Sequence, residues 1–166
     1  MNIHVAHLEG GEISGTIDES IRHATTKFSH IHFTSNENAT KRLIKMGELP
    51  KNVFTVGNPS LDVIKSIKFL SKNQLENEFN MDLKKPLVLV LQHTVTTEVN
   101  EIDKYFLETI RAIKELKIQS IIIAGNIDAG SQKIKKIIEN SKITHYENLP
   151  FIKYISLLYH SSVIIG

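Results

Sequence analysis

Leu87-Val88-Leu89-Val90-Leu91, an unbroken apolar run entered through Pro86, restricts the fold more than any other stretch of the chain. A strand without a polar face is buried on both sides, the pattern of a parallel sheet covered by helices above and below. The rest of the sequence alternates in the same sense. Strands are expected at 3–7, 31–34, 53–56, 120–124, 143–146 and 163–165, and helices at about 17–29, 36–46, 100–116, 131–140 and 151–160. Gly47 closes the second helix, and Asn58-Pro59 supplies an N-cap and a first helical residue for another that carries Leu61, Ile64 and Ile67. Between Ser66 and Lys85 strand character gives way to Lys, Asn and Glu, with one polar amphipathic helix around Leu75 and Phe79, and the domain boundary belongs here. The fold class is α/β, with two parallel-sheet lobes. About three strands precede the boundary and about four follow it, so each lobe reads as half a sheet and the chain as the middle of a longer protein.

Composition narrows the function by exclusion. Of 166 residues, 41% are apolar and 23% charged, ordinary for a soluble globular protein. A net charge of +2 is too small to argue for nucleic acid or a membrane surface as partner. Absence of cysteine excludes disulfides and thiol catalysis and is compatible with a reducing compartment. No apolar run approaches the roughly 20 residues of a membrane helix, and no signal-peptide pattern opens the chain, so a cytoplasmic location is expected. Neither a GxGxxG nor a Walker-type loop is present, which argues against a dinucleotide enzyme or a P-loop ATPase.

Chemistry concentrates at one strand-to-helix turn. Ile3 and Val5 are expected in a short buried strand that runs into His7-Leu8-Glu9-Gly10-Gly11-Glu12. Gly10, Gly11 and Gly15 let the backbone turn tightly or approach a ligand closely. Ile17, Ile21, Ala24 and Phe28 recur at helical spacing and are expected to form the buried stripe of the next helix, with Asp18 and Arg22 on its other face. Arg22 stands one turn after Asp18, where an ion pair competes with substrate contact, and Glu19 could be a first-turn charge favoured by the helix dipole. His7, at the strand end before the glycines, is placed to reach a ligand. His30 and His32 alternate on a strand and so share a face; a metal site with Glu9 is conceivable from such ligands, but His-x-His pairs are common by chance. His93, with Thr94, Thr96 and Thr97, follows the apolar strand at its carboxyl end, where open α/β sheets bind ligands. Asn126 and Asp128 occupy the next such loop between Gly125 and Gly130, residue types that turn chemistry alone would also explain.

These runs carry a family resemblance. His7 to Glu12, Gly15 to His23, Thr26-Lys27, Ser29 to His32, Gly57 to Asp62, Gln92 to Thr97 and Asn126 to Ser131 resemble, in order and over nearly the whole chain, the hydrolysing UDP-N-acetylglucosamine 2-epimerases. Non-hydrolysing relatives carry a different pattern around Glu9 to Arg22. The resemblance implies two Rossmann-like lobes of GT-B type, with residues 1–68 as the second half of the N-terminal lobe. Residues 69–166 would be the first half of a C-terminal, nucleotide-binding lobe. It also implies further strands before Ile3, bearing a phosphate-facing Arg and an Asp-Arg pair, and a serine-rich diphosphate turn after Gly166.

The same resemblance distributes roles. Inverting C2 of a sugar needs a base on one face and an acid for the opposite step, and two carboxylates in different environments supply both. Glu9 and Asp18 match the acidic residues that line the family's sugar site; a helix cap at Asp18 and a surface position for Glu9 are the alternative. His93 matches a histidine set against the UDP leaving group, and Asn126 lies in a loop the family uses near the nucleotide. His7 and Arg22 complete the expected substrate contacts. No organic cofactor or catalytic metal is implied, and the full-length family is expected to form homo-oligomers.

Overall fold

The computed structural model describes residues 3–15, 17–91, 101–124 and 131–166. They fall into two compact units, Met1–Ser66 and Ile67–Gly166, each built on its own parallel sheet.

In the first unit β1 (Ala6–Leu8), β2 (Ile31–Thr34) and β3 (Val53–Thr55) pair in that order, with Ala6 opposite Ile31 and His32 opposite Val53. The crossovers are α1 (Ile17–Lys27) and α2 (Glu37–Lys45), and α3 (Pro59–Ser66) follows β3. Asn36 caps α2 by accepting from the Ala39 amide at 2.9 Å. Gly47, at φ +96°, ends that helix and lets the Glu48 amide reach the Leu43 carbonyl at 3.1 Å. Ala39, Leu43 and Val53 are the buried apolar side chains among this unit's described residues, and Thr26, His32 and Thr34 are buried as well. Burying polar groups is tolerated only where they find partners. The Thr34 hydroxyl pairs with Thr40, which reaches Thr55 at 2.6 Å; His32 Nε2 lies 3.2 Å from Glu48 Oε2.

Three expectations fail in this unit. Ile3 and Val5 are exposed and precede β1 rather than forming a buried strand. Ile17, Ile21, Ala24 and Phe28 do not make the buried stripe of α1: all four are exposed, Phe28 by 79%. Thr26 is the residue that α1 buries. Hydrogen bonds set this orientation. Thr26 Oγ1 contacts His7 Nδ1 at 3.1 Å, and Arg22 Nη1 donates to the Glu12 carbonyl at 3.0 Å, so the polar side of α1 is drawn onto the loop and strand. His30 and His32 differ in setting: His30 is exposed just ahead of β2, whereas His32 lies within the strand. His30 Nδ1 accepts from the Val5 amide at 3.2 Å and its ring lies 5.0 Å from that of His4, whereas His32 is buried.

The second unit behaves as the apolar run requires. β4 (Leu87–Val90), β5 (Gln119–Ile123), β6 (Thr144–Tyr146) and β7 (Val163–Ile165) pair in parallel in the order β6-β5-β4-β7. Side chains alternate across a strand. Val88, Val90 and Ile122 therefore meet Phe106, Ile110 and Ile113 of α5 (Ile102–Leu116) and Ile134 and Ile138 of α6 (Ser131–Ser141). On the opposite face Leu87, Leu89, Ile121 and Ile123 meet Leu75 and Phe79 of α4 (Lys72–Phe79) and Leu157 of α7 (Phe151–His160). Each such side chain contributes about 1.5–3 kcal/mol by leaving water. A capping box of Ser71 and Gln74 starts α4, and Asn80, at φ +51°, ends it.

Candidate functional site: the turn from β1 to α1

Glu9 follows directly on β1. Its backbone is left-handed, at φ +59°, and its amide donates to the Phe33 carbonyl at 2.8 Å, continuing the β1–β2 ladder by one bond. A side chain with a Cβ adopts this region at a cost, so the surrounding contacts must hold it there. The glycines that follow are set by close approach to the protein itself. A Cβ on Gly10 would lie 2.8 Å from His7 Nδ1, and one on Gly11, whose φ is +84°, would lie 2.6 Å from the Ala39 carbonyl oxygen.

Glu12 then binds the turn to its neighbours. Its carboxylate accepts from Ser35 Oγ and, at 2.6 Å, from Asn36 Nδ2, both at the start of α2. Its carbonyl accepts from Arg22, while Arg42 of α2 donates to the Gly11 carbonyl. Charge-assisted bonds of this kind are shorter and stronger than neutral ones. Ahead of α1, Glu19 Oε2 accepts from the amides of Gly15 at 2.8 Å and Ser14 at 3.0 Å. Those two backbone donors hold the Glu19 carboxyl below its usual range.

Glu9 is half-buried on the turn, and Asp18 is exposed in the first turn of α1, one turn before Arg22. His7 faces Thr26 and lies under Gly10; burial first, then the neighbouring His32 and Arg22, push its imidazole below the ordinary value. Arg22 binds a backbone carbonyl of the turn. His93 and Asn126 lie outside the described residues. Among the described residues no cluster of three or more His, Cys, Asp or Glu side chains is arranged to hold a metal ion. None of their helices is long and apolar enough to cross a membrane.

Sequence reasoning gave Thr26, Ser35, Asn36, Arg42 and Glu12 no individual role. Asn36 had a readable signal as the polar residue opening α2. Arg42 had none, since a helical arginine is usually solvated.

Comparison with known proteins gives the family of the chain. The family model described as UDP-N-acetylglucosamine 2-epimerase matches residues 1–166. A Legionella pneumophila protein named UDP-N,N'-diacetylbacillosamine 2-epimerase (hydrolyzing) is 35% identical over 170 residues, covering 100% of this chain and 45% of that protein. A Neisseria meningitidis UDP-N-acetylglucosamine 2-epimerase is 35% identical over 166 residues, covering 98% and 44%. Among solved structures, UDP-GlcNAc 2-epimerase from Neisseria meningitidis bound to UDP-GlcNAc superposes with a TM-score of 0.78 at 19% identity, over 98% of this chain and 47% of that one. The chain thus spans a little under half the length of the relatives it matches, and its two parallel-sheet units are Rossmann-like lobes of the GT-B type. By the match of the family model over its whole length, the chain belongs to the UDP-N-acetylglucosamine 2-epimerase family.

Proposed function

We propose that this sequence serves a hydrolysing UDP-GlcNAc 2-epimerase, a cytoplasmic homo-oligomer that supplies N-acetylmannosamine for sialic-acid-type sugars. Glu9 and Asp18 share the acid and base steps. One carboxylate takes the proton from C2, and the C1–O bond breaks with its electron pair going to UDP, leaving a 2-acetamidoglucal. Water then adds its hydroxyl to C1, and a proton reaches C2 from the opposite face, giving N-acetylmannosamine. His7 and Arg22 border the sugar, while His93 and Asn126 hold the UDP, where a donor or cation stabilises the leaving charge. No organic cofactor or metal takes part. The observation that carries this reading is Glu9 itself: a half-buried carboxylate-bearing residue kept in a left-handed turn at a strand's carboxyl end, where α/β sheets bind ligands. Residues held in such conformations cluster at active sites.

Glu9→Gln and Asp18→Asn in the full-length protein are expected to lower turnover by at least about 100-fold, within the range of general acid–base catalysis. UDP affinity by calorimetry should stay near wild type. Retained turnover in both variants would remove the two residues from the chemistry. The Legionella relative's name favours a second reading, in which the substrate is a UDP-linked diacetamido sugar. Release of free UDP from each of the two nucleotide-sugars decides between them.

A further inference from the structure

Glu9 and Asp18 sit on separate pieces of backbone, the turn after β1 and the first turn of α1. For two carboxylates to serve opposite faces of one sugar ring, those pieces must keep a fixed relation, and an error of about 1 Å can cost about 100-fold in rate. The β1–β2 ladder alone does not provide this, because its last bond is the one made by the Glu9 amide.

We propose that Glu12 is a positioning residue: its carboxylate anchors the turn that carries Glu9 to the start of α2, beside the bond its carbonyl receives from Arg22 of the helix that carries Asp18. The carboxylate fastens the turn to the start of α2 through Ser35 and Asn36. The carbonyl receives Arg22 at 3.0 Å, one turn after Asp18 on the same helix. Asn36 is itself fixed, since its side-chain oxygen caps α2 at 2.9 Å. Arg42, from that helix, holds the adjacent Gly11 carbonyl, and the Gly11 Cα is seated where a Cβ would meet Ala39. The turn is therefore bound to β2, α1 and α2 within four residues, with Glu12 linked to both helices and Arg42 adding a second link to α2. The assignment rests on the roles given above to Glu9 and Asp18, but the mechanical tie stands on geometry alone.

Glu12→Ala removes the carboxylate and leaves the backbone carbonyl in place. Glu12→Gln keeps an oxygen able to accept from Ser35 and Asn36. In the full-length protein, Glu12→Ala should lower kcat by about 100-fold while UDP affinity moves less than about threefold, and Glu12→Gln should recover kcat to within about threefold. Amide exchange supplies a readout independent of turnover. In Glu12→Ala the Glu9 amide should exchange at least about tenfold faster, whereas the Val56 amide, bonded to Thr34 at 2.9 Å on the other side of β2, should not change. Equal acceleration at both amides would mean general loosening of the unit and would overturn the proposal. So would wild-type kcat in Glu12→Ala, or a Glu12→Gln protein as impaired as Glu12→Ala. If the wild-type protein turns over neither nucleotide-sugar, the epimerase assignment fails by itself, and the Glu9 and Val56 amides still decide whether Glu12 holds the turn.

Discussion

Replacing Gly11 by alanine tests whether the turn is shaped by contact with α2. Two costs apply. At φ +84° an L-residue is left-handed, which costs roughly 1–2 kcal/mol. The new Cβ would also sit 2.6 Å from the Ala39 carbonyl oxygen, a backbone atom that cannot swing aside as a side-chain tip can. Overpacking of this sort costs typically about 1–3 kcal/mol. Gly57 provides the control, because its φ of +85° is nearly the same and a Cβ there would meet nothing within 4 Å. Both substitutions restrict the unfolded chain alike, so that contribution cancels in the comparison. Gly57→Ala should thus cost about 1–2 kcal/mol and Gly11→Ala about 2–5 kcal/mol. Urea denaturation followed by far-UV circular dichroism measures both. Amide exchange over residues 3–58 should show an additional acceleration of roughly 5- to 150-fold for Gly11→Ala, at about 1.4 kcal/mol per factor of ten. If Gly11→Ala is no less stable than Gly57→Ala, contact with Ala39 does not shape the turn and the reasoning is wrong.

Two further outcomes follow from the first unit. His7 titrates below the ordinary imidazole value of 6.5, chiefly through burial, so as pH falls through that value the unfolded chain binds a proton that the folded ring refuses. Stability should therefore decline from about pH 7 until the folded ring also titrates, and His7→Asn should flatten this part of a plot of Tm against pH; an unchanged slope would count against it. Glu48→Ala leaves His32, 1% exposed and with no partner at Nδ1, without its contact at Nε2, at a cost of about 1–3 kcal/mol. Lys27→Ala removes only the more exposed arm of the same cluster and should cost less than about 1 kcal/mol, so equal losses in urea would refute the difference.

How far the chain could be read in advance depended on what fixes each element. In the second unit, Leu87 to Val90 have no polar face, so burial on both sides was the only outcome, and Val88 and Leu89 do enter opposite cores. Helix ends marked by Asn36, Gly47 and Pro59 were legible because capping is local chemistry. The orientation of α1 was not. Its apolar spacing predicts Ile17, Ile21 and Phe28 inside, but the bonds from Thr26 and Arg22 are long-range, and periodicity contains no information about them. His30 misled because it stands exposed just ahead of β2, while His32 is buried within it. At the candidate site, Glu9, Asp18 and Arg22 are nominated by one run of sequence, whereas the bonds of Glu12 to Ser35 and Asn36 span more than twenty residues and leave no local trace.

The seating of Gly11 against Ala39 has a consequence for descent. A lineage that gave up the reaction but kept the domain would still be obliged to retain Gly11, because its replacement is opposed by a left-handed backbone and by crowding against the Ala39 carbonyl whether or not any sugar is bound. Selection on architecture alone would preserve this part of the signature run long after its chemistry had lapsed. With the roles proposed above for Glu9 and Asp18, turnover would leave its mark elsewhere, in whether the two acidic side chains at positions 9 and 18 persist together.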